Sequence, residues 1–264
     1  MGRIDKKFEE LKDAGKKALI TFVTAGDPEP SATPRLVKAM EEAGADIIEL
    51  GVPYSDPIAE GPIIQESSAR ALRYGIRLGD IFNYVSEIRK TSEIPILLLL
   101  YYNCIFKYGI ERFFEECANA GVDGIIVPDL PVEERDDIKS VSESKGIPVI
   151  TLIAPTSKER MERIVKEAKG FVYCVSSLGV TGMREEFHKN LAEFVSEIHK
   201  YTNTARAIGF GISTPEQVKT IRDFSEGVIV GSAIVKRIGE AGSVDEAAES
   251  VLSFVSELRK ALDE

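Results

Sequence analysis

The chain has 264 residues, 44% hydrophobic and 29% charged, with a net charge of −10 and a pI near 5.0. These proportions exclude a disordered, collagenous or coiled-coil chain and fit a soluble globular protein. The acidic balance argues against a nucleic-acid partner, which requires clustered cations, but leaves room for a small anion held by backbone N–H groups.

The start, Met1-Gly-Arg-Ile-Asp-Lys-Lys-Phe8, is charged and helix-like and lacks the apolar core of a signal segment. Eight short β-branched or aliphatic runs follow: Ala18–Thr24, Asp46–Leu50, Ile96–Tyr101, Gly124–Val127, Pro148–Ile153, Phe171–Val175, Ala205–Ile208 and Gly227–Val230. Several are apolar throughout, as expected of parallel strands covered on both faces. The stretches between them carry helical periodicity. Ile110, Phe113, Phe114 and Cys117 repeat at three and four residues, and Gly121 then stops that helix. The same stop-and-strand device, Ala-Gly-x-Asp, occurs at Ala43–Asp46 and Ala120–Asp123. Ser157 and Ser213-Thr214-Pro215 read as helix starts, and Ser243–Leu262 as one amphipathic helix.

The longest apolar stretch, Ile94–Phe106, is interrupted by Pro95 and Asn103 and falls short of the ~20 residues of a membrane span. Cys104, Cys117 and Cys174 are too scattered for a disulfide framework or a CxxC metal pair, so a reducing cytoplasm is expected, with Cys104 and Cys174 as small core fillers. With nothing resembling a linker, the α/β pattern is expected to close residues 1–264 into one (β/α)8 TIM barrel with an extra N-terminal helix. A doubly wound open sheet is the alternative.

In either fold the chemistry belongs at the C-terminal ends of strands and in the loops that follow. Glu49 sits in the apolar run Asp46–Leu50, on one face with Ile47 and Gly51. A carboxyl there is poorly hydrated, so its pKa should rise toward neutrality; a side chain that merely reaches solvent is the competing reading. The following loop, Gly51–Pro62, is shaped by three prolines and two glycines and carries Asp56 and Glu60. A second carboxylate would let one substrate exchange two protons. Asp27, in the first loop, fits equally as a turn or cap residue.

Glycines near the far end suggest an anion site. Gly209-Phe-Gly211 follows the seventh run, and Gly231-Ser232 opens a short helix after the eighth, which is where barrels of this kind bind phosphate. Gly179-Val-Thr-Gly182, after the sixth run, could complete the cradle. Phe22, Tyr101, Tyr173 and Phe210 place aromatic surface at strand ends; core packing explains each singly, a flat apolar ligand explains them together. Lysine is missing from the fourth, fifth and sixth runs, which disfavours a Schiff-base aldolase, and neither His188 nor His199 has metal-ligand spacing.

The segments Phe22–Pro28, Ile48–Pro57, Gly124–Pro131, Gly179–Gly182 and Gly209–Gly211 resemble the tryptophan synthase α-subunit family, in order along essentially the whole chain. The resemblance implies a (β/α)8 barrel that cleaves indole-3-glycerol phosphate to indole and glyceraldehyde 3-phosphate. It implies proton transfers by Glu49 and a second carboxylate on the indole N–H. It also places Thr181, Gly182, Gly211, Gly231 and Ser232 at the phosphate end, and Phe22, Tyr101, Tyr173 and Phe210 around the indole. No cofactor is implied on this chain; pyridoxal phosphate belongs to a β subunit that receives the indole in an α2β2 complex, contacted through Asp56, Pro57 and the region of Asn103. The family pattern has Asp where this chain has Glu60, which moves the carboxyl outward by one methylene. Two further readings stand beside it: a barrel acting on another sugar phosphate, and a weakly active barrel kept to activate its partner.

Overall fold

Each apolar run becomes a strand, and each charged stretch between runs contains helix. The computed structural model describes residues 2–175, 184–209 and 211–264, with the side chains of 184–189 excepted. The strands are β1 (Ala18–Thr24), β2 (Ile47–Gly51), β3 (Ile96–Leu99), β4 (Gly124–Ile126), β5 (Thr151–Ile153), β6 (Phe171–Val175), β7 (Ala205–Gly209) and β8 (Gly227–Val230). They form one parallel sheet in the order β4-β3-β2-β1-β8-β7-β6-β5. Its two ends meet at a single bridge between Ile125 and Val149, where the Ile150 N–H donates to the Ile125 carbonyl at 2.8 Å. The sheet therefore nearly closes into a TIM barrel, not an open doubly wound sheet.

Several strand bounds differ from the sequence reading. β2 starts after Asp46, whose carboxylate takes the Leu19 N–H at 2.8 Å and pairs with Arg259 at 2.9 Å. β3 ends at Leu99, because Tyr101 turns the chain into the helix Tyr102–Tyr108 and the Asp129 carboxylate takes the Tyr102 N–H at 2.9 Å. β4 stops one residue short of Val127. β5 begins only at Thr151; it lies at the seam, where Pro148 has no N–H to offer a ladder. Ser157 does not cap a helix but lies inside the 3-10 turn Pro155–Arg160, which Pro155 starts. Thr214 and Ser243 do cap: Thr214 Oγ1 accepts from the Gln217 N–H, and Ser243 Oγ from the Glu246 N–H.

Alternation along the strands separates two cores. Ala18, Ile20, Ile47, Leu97, Ile126, Phe171, Ala207 and Ile229 fill the barrel interior. The N-terminal helix, Arg3–Asp13, closes the lower end: Ile4 and Leu11 are buried in that interior cluster, and the Phe8 ring lies 5.7 Å from the Phe171 ring. The intervening residues, such as Leu19, Ile48, Leu50 and Leu98, face outward against helix residues including Leu36, Met40 and Phe113.

The repeated Ala-Gly-x-Asp device has one repeated use. Asp46 accepts the N–H of Leu19 on the neighbouring strand, and Asp123 accepts that of Ile96 at 2.8 Å while pairing with Arg89 at 2.6 Å. Glu226 does the same at the foot of β8, holding both the backbone and the guanidinium of Arg206. These charges pin the lower ends of the strands, which leaves the upper mouth free for other work.

Candidate active site

β2 carries Glu49 into the barrel. Its register partners are Phe22 on β1 and Leu97 on β3, and it has the inward parity of Ile47. The residue is 1% exposed, and among the described residues its Oε1 atom has no hydrogen-bond partner. Burial without a compensating cation pushes its pKa up to about 8. Glu49 is thus a protonated acid at neutral pH with one oxygen unused.

Aromatic side chains surround it because glycines make room. Phe22 lies against Gly51 at the end of β2: a Cβ on Gly51 would fall 2.5 Å from the ring. The same side chain borders Gly231, where a Cβ would come within 3.3 Å of it. Tyr173 on β6 lies over Gly209 at the end of β7, again leaving no space for a Cβ. Burial raises the Tyr173 phenol well above its ordinary range, and the charge of Glu49 adds to that; the Tyr173 side chain packs against the interior cluster. Leu99 and Leu152 share this inward position and are only partly buried. The sequence reading did not single them out, although the parity of Leu97 and Ile150 points to both.

Glu60 belongs to the loop after β2, and its carboxylate accepts a hydrogen bond from the Tyr101 hydroxyl. That hydroxyl in turn accepts the N–H groups of Ile58 at 2.8 Å and Ala59 at 2.9 Å. Tyr54, also overlooked in the sequence, stacks on Tyr101 with ring centroids 4.7 Å apart. Tyr101 therefore presents its ring to Tyr54 and its oxygen to the loop.

The other acids near the mouth are already engaged. Asp27 is fully buried: its N–H closes a turn on the Thr24 carbonyl at 3.3 Å, and Arg70 donates to both its carboxylate oxygens, at 2.7 and 2.9 Å. Burial pushes the Asp27 pKa up, against the pull of Arg70. Asp129 holds the Tyr102 N–H, and Asp56 is exposed with Ser55 on it. Glu49 and Glu60 remain as the pair of carboxyls on β2 and its loop.

At the phosphate end, the helix Ser232–Glu240 starts directly after β8, with Gly231 as its cap residue and Ser232 half-buried. The Ile234 N–H donates to the Gly231 carbonyl at 2.9 Å, while the Ser232 and Ala233 N–H groups have no acceptor within the helix, and the dipole favours an anion there. Gly211 follows β7, exposed and with φ of 60°, a backbone that suits glycine. Thr181, Gly182 and Phe210 lie outside the described residues, as does the side chain of His188. His199 is exposed, Cys104 is half-buried, and Cys117 and Cys174 are buried as free thiols.

A cavity of about 1260 Å³ lies at the opposite end of the barrel, among Phe8, Arg135, Pro148, Gly170 and Arg206. None of the site residues above borders it, and its acids Asp123 and Glu226 are tied to arginines. The proton-bearing groups gather at the upper mouth instead.

Comparison with known proteins gives the family. The profile of the family described as Tryptophan synthase alpha chain matches residues 8–263. Among curated relatives, the tryptophan synthase alpha chain of Thermoanaerobacter sp. (strain X514) is 55% identical over 262 residues, covering 99% of this chain and 100% of its own length. That of Clostridium kluyveri is 47% identical over 263 residues, covering 100% of both chains. Among solved structures, the tryptophan synthase alpha chain of Legionella pneumophila superposes with a TM-score of 0.91 at 38% identity, covering 100% of this chain and 98% of that one. Tryptophan synthase from M. tuberculosis, in an open form, superposes with a TM-score of 0.89 at 30% identity, covering 99% of each chain. With the barrel, the inward Glu49 and a family match over nearly every residue in agreement, the chain belongs to the tryptophan synthase alpha chain family.

Proposed function

We propose that this chain cleaves indole-3-glycerol phosphate to indole and glyceraldehyde 3-phosphate, with Glu49 moving the protons and Glu60 holding the indole N–H. The lyase reaction is that of its family, and the roles given to these two residues are the ones the family resemblance implies, with Glu60 taken as the second carboxylate. The observation that carries it is Glu49, buried and inward-facing, with burial pushing its pKa up to about 8 and one oxygen without a partner among the described residues.

The chemistry needs such a group. A proton from Glu49 adds to C3 of the indole, which turns the ring into an electron sink. The C–C bond to the glycerol then breaks and its electrons return to the ring. The adjacent hydroxyl gives its proton to the Glu49 carboxylate as the aldehyde forms, so Glu49 ends as it began and no net proton is consumed. Glu60 accepts the indole N–H and stabilises the positive charge that C3 protonation places on the ring. Phe22, Tyr173, Leu99 and Leu152 supply apolar walls for the ring, with Phe210 as a further wall by resemblance. Gly211, Gly231 and Ser232 hold the phosphate at the helix terminus, with Thr181 and Gly182 completing that end.

The reading extends to a β subunit that carries pyridoxal phosphate and takes up the indole in an α2β2 assembly. Ile58 is 80% exposed on the loop after β2, and Phe106 is 66% exposed on the helix Tyr102–Tyr108. Large apolar side chains left in water beside a mouth suit a surface that is covered in a complex. Asp56, Pro57 and Asn103 lie in the same two segments. The free thiols and the lack, among the described residues, of a helix long and apolar enough to cross a membrane support a cytoplasmic setting. Indole release by the purified chain, alone and with a β subunit, tests the proposal. Release is expected from the wild type and lost in Glu49→Gln; release that survives the substitution would remove Glu49 from the reaction.

A further inference from the structure

We infer that Tyr101 is a positioning residue that holds Glu60 in its working place, through a hydroxyl bonded at once to the Glu60 carboxylate and to the loop backbone beside it. The inference rests on Glu60 being the second carboxylate of the proposed reaction.

The loop after β2 is tied at its two ends, where the Val52 N–H donates to the Leu99 carbonyl at 2.9 Å and the Gln65 amide donates to the Glu60 carbonyl at 2.8 Å. Ile58 and Ala59 are exposed, and their N–H groups both donate to the Tyr101 oxygen, at 2.8 and 2.9 Å. The same oxygen spends its one proton on Glu60 Oε2. A phenol has one donor and two acceptor sites, so all of its hydrogen-bonding capacity is used on three consecutive residues of one loop. Tyr101 itself is anchored outside that loop. It is 4% exposed and follows β3, where the preceding residue, Leu100, donates its N–H to the Ile126 carbonyl at 3.0 Å. Tyr54, a residue of the same loop, stacks on the ring at 4.7 Å and receives a long hydrogen bond from the Asn103 amide at 3.4 Å. The tip of the loop, Ile58 to Glu60, is thus joined to the end of β3 through the Tyr101 hydroxyl.

The arrangement also accounts for how a glutamate can serve at position 60. A longer side chain has more rotamers, and a carboxylate with an extra methylene would wander. With Oε2 fixed by the Tyr101 hydroxyl, Oε1 has a defined place and remains available to a substrate N–H. Burial and the neighbouring Glu60 push the Tyr101 phenol up to about 12, so it stays a donor throughout the working pH range. Phenylalanine at position 101 would keep the stacking ring and remove only the fastening atom.

The experiment is a double-mutant cycle on indole release, using the full chain with its β subunit and the variants Tyr101→Phe, Glu60→Gln and both together. Tyr101→Phe is expected to lower kcat about tenfold and leave KM within twofold, since the phosphate end binds as before. In the Glu60→Gln background the same change is expected to cost less than twofold, because no carboxylate remains to be held. Full activity in Tyr101→Phe alongside a large loss in Glu60→Gln would overturn the positioning role and leave the reaction scheme standing. Full activity in Glu60→Gln would overturn the scheme's use of Glu60, and the inference with it. Equal losses from Tyr101→Phe in both backgrounds would show a structural role only and also overturn it. Should Tyr101→Phe fail to fold, Tyr54→Leu removes the stacked ring and leaves both polar groups. It is expected to lower kcat only where Glu60 is present, and a loss independent of Glu60 would count against the inference.

Discussion

Phe22 and Glu49 are register partners across the β1–β2 ladder, both turned into the barrel, and the Phe22 ring occupies the space that a side chain at Gly51 would take. An apolar ring therefore stands beside a buried acid, with Gly231 and the start of the phosphate-end helix on its other flank. One side chain thus spaces the proton donor from the anion site.

Glycine at position 51 is required by that contact. Gly51→Ala is expected to drive Phe22 out of its place, since a Cβ would lie 2.5 Å from the ring and Phe22 is 4% exposed with little room to yield. Overpacking of this kind costs about 1–3 kcal/mol. A chemical melt should show that loss, together with a fall in kcat/KM of about tenfold or more from misplacement next to the reacting ring. An alanine variant with unchanged stability and rate would show that Phe22 is free to move.

Glu49 should make the fold less stable as pH rises. Its folded pKa of about 8 lies above the unfolded value of about 4.3, so the native state keeps a proton that the unfolded chain releases. Its contribution to stability is fully present below about pH 4.3 and is lost progressively as pH rises to about 8. Glu49→Gln removes the titration. The variant should match the wild type in acid and exceed it by a few kcal/mol at pH 8, since each tenfold difference in proton affinity between the folded and unfolded chains is worth about 1.4 kcal/mol. Denaturant melts at a series of pH values measure this, and a gap that does not widen with pH would place a charged Glu49 in the native state.

The Asp27–Arg70 pair should be structural. Asp27 is fully buried and both its oxygens are taken by one guanidinium, so Asp27→Ala leaves Arg70 without its anion. Removing one partner of a buried pair costs about 3–5 kcal/mol, and the partial exposure of Arg70 argues for the lower end. Thermal melting checks the loss; a variant that melts with the wild type would show that the pair is dispensable.

Glu60→Asp should lower indole release even though aspartate is the residue of the family pattern. The shorter carboxylate would not reach both the Tyr101 hydroxyl and the substrate from this backbone, and a displacement of about 1 Å can cost on the order of 100-fold. Steady-state kinetics decide it: an aspartate variant as fast as or faster than the wild type would mean that the extra methylene confers no advantage here.

Much of this architecture was legible in the residues themselves. Apolar runs marked all eight strands, and alternation put Glu49 on one face with Ile47 and Gly51, the face that the structure turns into the barrel. Strand ends were harder, because they depend on where backbone groups find partners. Asp46 diverts the Leu19 N–H with its side chain, and Pro148 starves the β4–β5 seam of a donor. Side-chain destinations in loops were hardest. Tyr101 reads as one more aromatic at a strand end, yet its hydroxyl is committed to residues about forty positions earlier. Asp27 reads as a turn residue, yet the partner of its carboxylate lies on the helix Pro62–Leu72. Such long-range pairings follow from closure of the barrel and leave no local periodicity to find.

The pH dependence of kcat/KM for indole release, measured in parallel for the wild type and Glu49→Gln, bears most directly on the proton donor. The wild-type rate should fall as pH rises through about 8, where Glu49 loses its proton, and the variant should be lower by about 100-fold to 10,000-fold and lack that fall. A wild-type profile that stays flat through pH 9, or a variant that keeps the fall, would show that the buried acid on β2 is not the group that protonates the indole.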